Sequence, residues 1–183
     1  GYDVRFCMGT DEHSINVKKK AEEEGISTQE YCDKMVPRFE DTWKKLSISY
    51  DDFIRTTEER HKVSVTELFN RIDAAGDIYT ADYKGWYCES CEAFIQGKDI
   101  VDGKCPHHPS KKPNWIEETN YFFRLSKYGV PLLHEIKSNP DFIRPETRRN
   151  EIVSLIESGL DDISISRSGF DWGITLPDDP DHV

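Results

Sequence analysis

Four residues could do metal chemistry by type and spacing alone. Cys88-Glu-Ser-Cys91 is a C-x2-C knuckle, and thirteen residues further on Cys105-Pro-His-His108 is a C-x2-H knuckle. The x2 spacing lets the backbone curl so that both side chains of a pair face one ion. Three thiolates and an imidazole match tetrahedral zinc. Four protein ligands leave no open position, which predicts a structural ion, not a catalytic one. His107 would give C-x-H, a tighter bite; His108 is preferred and His107 stays the alternative. Iron in a rubredoxin-like site is a lesser alternative, because the fourth thiolate is lacking. Two core cysteines with a chance neighbour would not explain the spacing. The other two cysteines, Cys7 and Cys32, sit in apolar patterns and are expected to be buried thiols.

The elements around the knuckles have to hold them. From Asp77 to about Pro113 short apolar and aromatic runs are broken by Lys84-Gly85, Gly97, Asp102-Gly103 and prolines. Tyr83 to Tyr87 reads as hairpin-like. Such a segment has little room for a core of its own and needs a staple. Metal binding would supply much of its folding free energy.

The flanks have a different character. Tyr2 to Met8 is a mostly apolar run suited to a buried strand, followed by the polar turn Gly9-Thr10-Asp11-Glu12-His13. Ser14 is a candidate N-cap for a helix that stops at Gly25. Strand, turn and helix together are an α/β signature. Ser27 with Glu30 is a capping-box pattern, and Tyr31, Met35, Phe39, Trp43 and Leu46 then form one helical stripe. Pro37 predicts a kink or break in it. Asp51 to Arg55 is a short extended piece. Thr56 with Glu59 predicts another capped helix, which buries Val63, Val65, Leu68, Phe69 and Ile72 and stops at Gly76. Helical pattern returns at Val130 to Lys137, and again after Pro145, a candidate first helical residue. Asp162 to Arg167 alternates like a strand. A core strand with no lead-in predicts that a segment upstream is missing.

Charge and cysteine usage narrow the function class. The 183 residues carry 24 basic and 35 acidic side chains, a formal charge of −11. That argues against a surface that grips nucleic acid all over. Lys18-Lys19-Lys20, the most basic run, reads as a solvated helix face, and Trp86, Trp115 and Trp172 read as packing residues, not base-stacking platforms. Five cysteines, an odd number, do not make a disulfide framework. No apolar run approaches the ~18 residues of a membrane span, and no secretory signal opens the chain.

Several runs together resemble the methionyl-tRNA synthetases, a class I aminoacyl-tRNA synthetase family. They are Gly1 to Val4 leading to Gly9-Thr10-Asp11-Glu12-His13, the stretch from Tyr50 to His61, and Ala75 to Tyr79. They continue with both knuckles, Asn120 to Arg124, Ile143 to Glu146, Asp162 to Arg167 and Phe170 to Ile174. The matches are ordered and span nearly the whole chain. A single knuckle pair is similar to one zinc subtype of the family.

The resemblance implies an α/β fold, part of a Rossmann-type catalytic domain interrupted by a small zinc-knuckle insert. Residues 1–76 and 143–183 would be catalytic pieces and 77–142 the connective insert. It implies a cytoplasmic enzyme that activates methionine with ATP and magnesium and transfers it to its tRNA. Asp11 would hold the methionine end of the site and Arg167 would support adenylate formation. A carboxylate pairs with an ammonium, and a guanidinium matches phosphate or carboxylate in bidentate fashion. Ser14 stands where the family has glycine, which changes the turn or improves the cap; His13 is open between turn structure and ligand contact. The family's HIGH-type and KMSKS-type motifs are not in this sequence, so a central fragment inactive alone is expected. The competing expectation is a free-standing zinc ribbon that binds RNA or a protein.

Overall fold

A computed structural model describes every residue except Glu92 and Gln96. The first unit is a β-α-α-β crossover. Strand β1 (Cys7–Thr10) pairs in parallel with β2 (Asp52–Arg55), with Cys7 opposite Asp52 and Thr10 opposite Arg55. Parallel pairing needs a long connection. Helices α1 (Ile15–Glu24) and α2 (Thr28–Lys45) supply it. Gly9 permits the pairing, because a Cβ there would lie 2.3 Å from the Ile54 carbonyl oxygen.

Both helix starts follow their local chemistry. The Ser14 hydroxyl accepts from the Asn16 N–H at 3.1 Å, and the chain leaves α1 at Gly25 with φ of 69°. Ser27 and Glu30 form the full reciprocal capping box. Helix α2 runs on through Pro37 without a break. Its second half is anchored beyond the proline: the Trp43 ring lies 5.4 Å from Phe53 and 5.9 Å from Tyr50, centroid to centroid. That aromatic contact joins α2 to β2 and offsets the lost helical hydrogen bond.

Helix α3 (Glu59–Ala74) departs from expectation. Its N-cap is Glu58, which makes no capping hydrogen bond, and the Thr56 hydroxyl instead accepts from the Glu12 N–H at 2.9 Å. The apolar positions of α3 are not buried: Val63 and Leu68 are more than half exposed. Among the described residues little packs on that face, apart from a cavity described below. β1 behaves alike. The strand begins at Cys7, Tyr2 and Val4 lie exposed, and Cys7 is an exposed thiol, because β2 is the one strand that pairs with it among the described residues. Cys32 is buried as expected.

The second unit is an antiparallel sheet in the order β4-β3-β5-β6. Strand β3 (Ile78–Cys88) is continuous through Tyr83 to Tyr87, so those residues are not a hairpin. It pairs with β5 (Asn114–Phe123) from Ile78↔Phe123 to Tyr87↔Asn114. By sequence Lys84-Gly85 reads as a turn, which predicts short runs. The ladder passes through it instead, with Lys84 bonded across to Glu117 at 2.9 Å. The short strand β4 (Ala93–Ile95) returns along β3. Helices α4 (Gly129–Ser138) and α5 (Glu146–Glu157) each bury one isoleucine, Ile136 and Ile156; Pro145 is not the first helical residue but stands one position before it, with no capping hydrogen bond.

Strand β6 (Ile163–Ser164) is shorter than the alternation predicted. Its ladder stops because the Ser166 hydroxyl, not a backbone carbonyl, takes the Tyr121 N–H at 2.9 Å. The pairing of β6 with β5 ties the last part of the chain to the sheet that carries the knuckles. The junction is polar. The Asp77 carboxylate is 2% exposed and bonded by Lys127 and Tyr128, while Asp162 accepts from Tyr79 at 2.9 Å and from Ser126. Among the described residues no helix is long and apolar enough to cross a membrane.

Candidate functional site: a Cys3His cluster and an arginine between two cavities

Cys88 ends β3, and Cys91 follows after a tight turn closed by Cys91 N–H to Cys88 carbonyl at 3.2 Å. The second knuckle repeats this closure, with His108 N–H to Cys105 carbonyl at 3.2 Å. A turn at Asp102-Gly103, both with positive φ, brings it round. The ligand atoms of Cys88, Cys91, Cys105 and His108 all lie within 4.8 Å of one another. Cys91 Sγ is 3.4 Å from Cys105 Sγ and 3.1 Å from His108 Nδ1, and Cys105 Sγ is 3.9 Å from the same nitrogen. A tetrahedral zinc with these donors has ligand–ligand edges of about 3.5–3.8 Å, so this donor set could hold a metal ion. His107 is exposed and gives the cluster its backbone N–H, at the Cys105 sulfur.

The electrostatics ask for a cation. Burial, then hydrogen bonds to the Cys105 and Cys88 sulfurs, push the Cys91 thiol up to about 12. Burial opposes ionisation of Cys105 as well, but hydrogen bonds from His108 and the other thiols outweigh it and bring it down to about 6. Three adjacent sulfurs cannot all ionise without a positive charge among them. Cys88 and Cys105 are each 1% exposed, among the most buried side chains of the chain.

The turn after β1 places its carboxylates differently. Asp11 is exposed, while Glu12 is 4% exposed. Glu12 accepts from Arg55 Nε at 2.8 Å and Nη2 at 3.1 Å, from Thr10 at 2.7 Å and from Thr57. Burial opposes its charge, and these hydrogen bonds, Arg55 foremost, hold the carboxyl below the usual glutamate range. The Glu12 carbonyl also accepts from the Trp172 indole at 2.6 Å. Glu12 therefore fastens the turn to β2 and to the end of the chain. Sequence reasoning missed it; its neighbours Arg55 and Thr57 are more than forty residues away, and no local pattern points to them.

Arg167 stands between two cavities, of about 480 and 510 Å³, which share Tyr87, Ile165 and Val183 as well. The first is mainly apolar, lined by His13, Phe69, Phe170, Trp172 and Leu176 among others. His13 meets Trp172 edge-on at 5.6 Å, and burial followed by Lys62 lowers its pKa. Arg167 makes a fork to Glu118, Nε at 3.1 Å and Nη2 at 3.2 Å, and its guanidinium lies 4.3 Å from the Tyr87 ring centroid. Asp11 lines a different cavity, of about 330 Å³, with Cys32, Met35 and Trp43. The structure thus unites the four candidate metal ligands and does not join Asp11 to Arg167. His13, two residues past Asp11, is the turn residue on the Arg167 cavity.

The basic run is engaged: Lys18 pairs with Asp171, Lys19 with Glu89 and Lys20 with Glu23. Trp86 and Trp115 form an edge-on cross-strand pair at 5.3 Å.

A profile described as "tRNA synthetases class I (M)" matches residues 1–114 and 108–183, and the chain belongs to that family. The similar relatives narrow the class. The chain is 49% identical over its whole length to a methionine–tRNA ligase of Nostoc sp., covering 35% of that protein. It is 49% identical to the methionine–tRNA ligase of Caldanaerobacter subterraneus subsp. tengcongensis, covering 28%. A solved structure, Mycobacterium tuberculosis methionyl-tRNA synthetase in complex with methionyl-adenylate, matches with a TM-score of 0.92 and 46% identity, over 100% of this chain and 36% of that one. The fold is therefore the mixed α/β arrangement of a class I synthetase catalytic region with a cysteine-histidine insert. The chain spans about a third of the length of these relatives.

Proposed function

We propose that this chain is the central part of a methionine–tRNA ligase. The complete protein activates methionine with ATP and magnesium and passes the methionyl group to its tRNA. A cytoplasmic location follows from the same reading. The observation that carries it is the match over 100% of the chain, at a TM-score of 0.92, to a synthetase solved with methionyl-adenylate. A free-standing zinc ribbon would not account for likeness on both sides of the knuckles.

Within this reading residues 1–76 and 143–183 belong to the catalytic domain, and 77–142 form the connective insert. Cys88, Cys91, Cys105 and His108 hold one zinc ion, which supplies a cross-link and no reaction chemistry. Arg167 offers a guanidinium beside a mainly apolar cavity, which suits an anionic group next to a thioether side chain. Asp11 contributes a carboxylate for the methionine ammonium from the exposed end of the turn. Glu12 keeps that turn in place and His13 carries it to the Arg167 cavity. The test is ATP–pyrophosphate exchange by the full-length protein that carries this sequence. Exchange that depends on methionine is expected; exchange with another amino acid and not with methionine would overturn the reading. Elemental analysis should find about one zinc per chain.

A further inference from the structure

We propose that Glu118 is the positioning residue that aims the Arg167 guanidinium during methionine activation. The proposal rests on the role of Arg167 given above, and adds what holds that side chain. An arginine side chain has several rotatable bonds, so it acts as a fixed donor only where its surroundings lock it. The backbone of Arg167 is pinned by paired hydrogen bonds with Val183, at 2.8 and 3.1 Å. Among the described residues Glu118 is the carboxylate that pins the side chain, and Tyr87 also bonds to it. Both carboxylate oxygens take part, which fixes the plane of the guanidinium as well as its place. Tyr87, 6% exposed, supports one face of that plane.

The setting makes this pair unlike the surface ion pairs of the chain. The Glu118 side chain is 13% exposed and that of Arg167 25%, whereas most other pairs have at least one partner about half exposed. Poor hydration strengthens both the attraction and the orientation it imposes. Glu118 lies on β5 two residues from the fully buried Asn120, so its own position is set by the sheet. The fork takes two of the five guanidinium N–H groups, Tyr87 is a further partner, and the side chain still lines both cavities. An anion in either cavity then meets a guanidinium already turned toward it, with no ordering left to do at the moment of reaction.

The test uses ATP–pyrophosphate exchange by the full-length protein and its variants Glu118→Gln, Glu118→Asp, Arg167→Ala and the double variant Glu118→Gln with Arg167→Ala. Glu118→Gln should lower kcat by about 10- to 100-fold with little change in the KM for methionine, since misplacement by about 1 Å costs that much. Glu118→Asp, which keeps the charge, should recover part of the loss. In the Arg167→Ala background the glutamine should add no further loss. An unchanged kcat in Glu118→Gln would overturn the proposal, and so would an equal loss in both backgrounds, which marks a scaffold role. Normal exchange by Arg167→Ala would overturn the reading of Arg167 itself, and the proposal with it.

Discussion

Glu12 shows how a single side chain can hold a turn. Its carboxylate is buried, ionised and saturated by Arg55, Thr10 and Thr57. Because burial is outweighed by these partners, its pKa in the folded protein lies below the ordinary value of 4.5. A depressed carboxylate contributes stability above its unfolded pKa and loses it as pH falls through the folded value. Unfolding of the full-length protein by denaturant should therefore show a loss of stability below pH 4.5. Glu12→Gln should cost about 3 kcal/mol at pH 7, because it leaves a buried guanidinium with one partner fewer. The same variant should flatten the acid limb, and an acid limb identical to the parent's would remove Glu12 as its source. Asp11, its exposed neighbour, shows the limit of reading chemistry from a motif. The sequence places two carboxylates side by side, and only the turn geometry decides which one is buried.

At the scale of the element, the knuckles are the clearest case of local instruction. Each is an i to i+3 turn closed by its own backbone hydrogen bond, so two side chains three apart converge without help from elsewhere. The strand between Ile78 and Cys88 carries the first knuckle at its end, and an Asp-Gly turn delivers the second. A metal held by both knuckles would join turns that the chain separates by thirteen residues, and should stabilise the 77–113 region more than the flanks. Cys91→Ser in the full-length protein should reduce bound metal from about one per chain to well under half, since only three ligands remain. Hydrogen exchange in residues 77–113 should rise in that variant and on chelation, with α1 and α2 little affected. Unchanged exchange there after the metal is removed would contradict a structural role. Helix α3 teaches the opposite lesson. Its apolar spacing is correct for a helix, yet Val63 and Leu68 are exposed, because periodicity specifies a face and not the partner that covers it.

At the scale of the whole molecule, the parallel β-α-α-β unit is tied to the rest of the chain by the Trp172 indole, which donates to the Glu12 carbonyl at 2.6 Å, and by the ion pairs Lys18–Asp171 and Lys19–Glu89. Glu118 of the Arg167–Glu118 fork lies on β5, so the sheet with the knuckles also holds the side chain proposed for adenylate formation. Apolar residues of β1 and α3 are exposed, and the chain spans about a third of its relatives' length, both of which the proposed function accommodates. The isolated 183-residue chain should give no ATP–pyrophosphate exchange with methionine while still binding metal at the Cys3His cluster. Exchange by the isolated chain at the rate of the full-length protein would show that this segment alone suffices.

By itself the sequence determined what depends on neighbours within a few residues. The capping box of α2, the Ser14 cap, the glycine exit of α1 and the metal-ligand spacing all belong there, because each closes a hydrogen-bonded ring or a turn of three to five residues. Tertiary structure decided the rest. It made one straight ladder of Ile78 to Tyr87 against Asn114 to Phe123, chose Glu12 over Asp11 for burial, and set Arg167 against Glu118 across 49 residues. Such partners are selected by the summed packing and pairing of whole strands, and no single stretch of residues contains that sum.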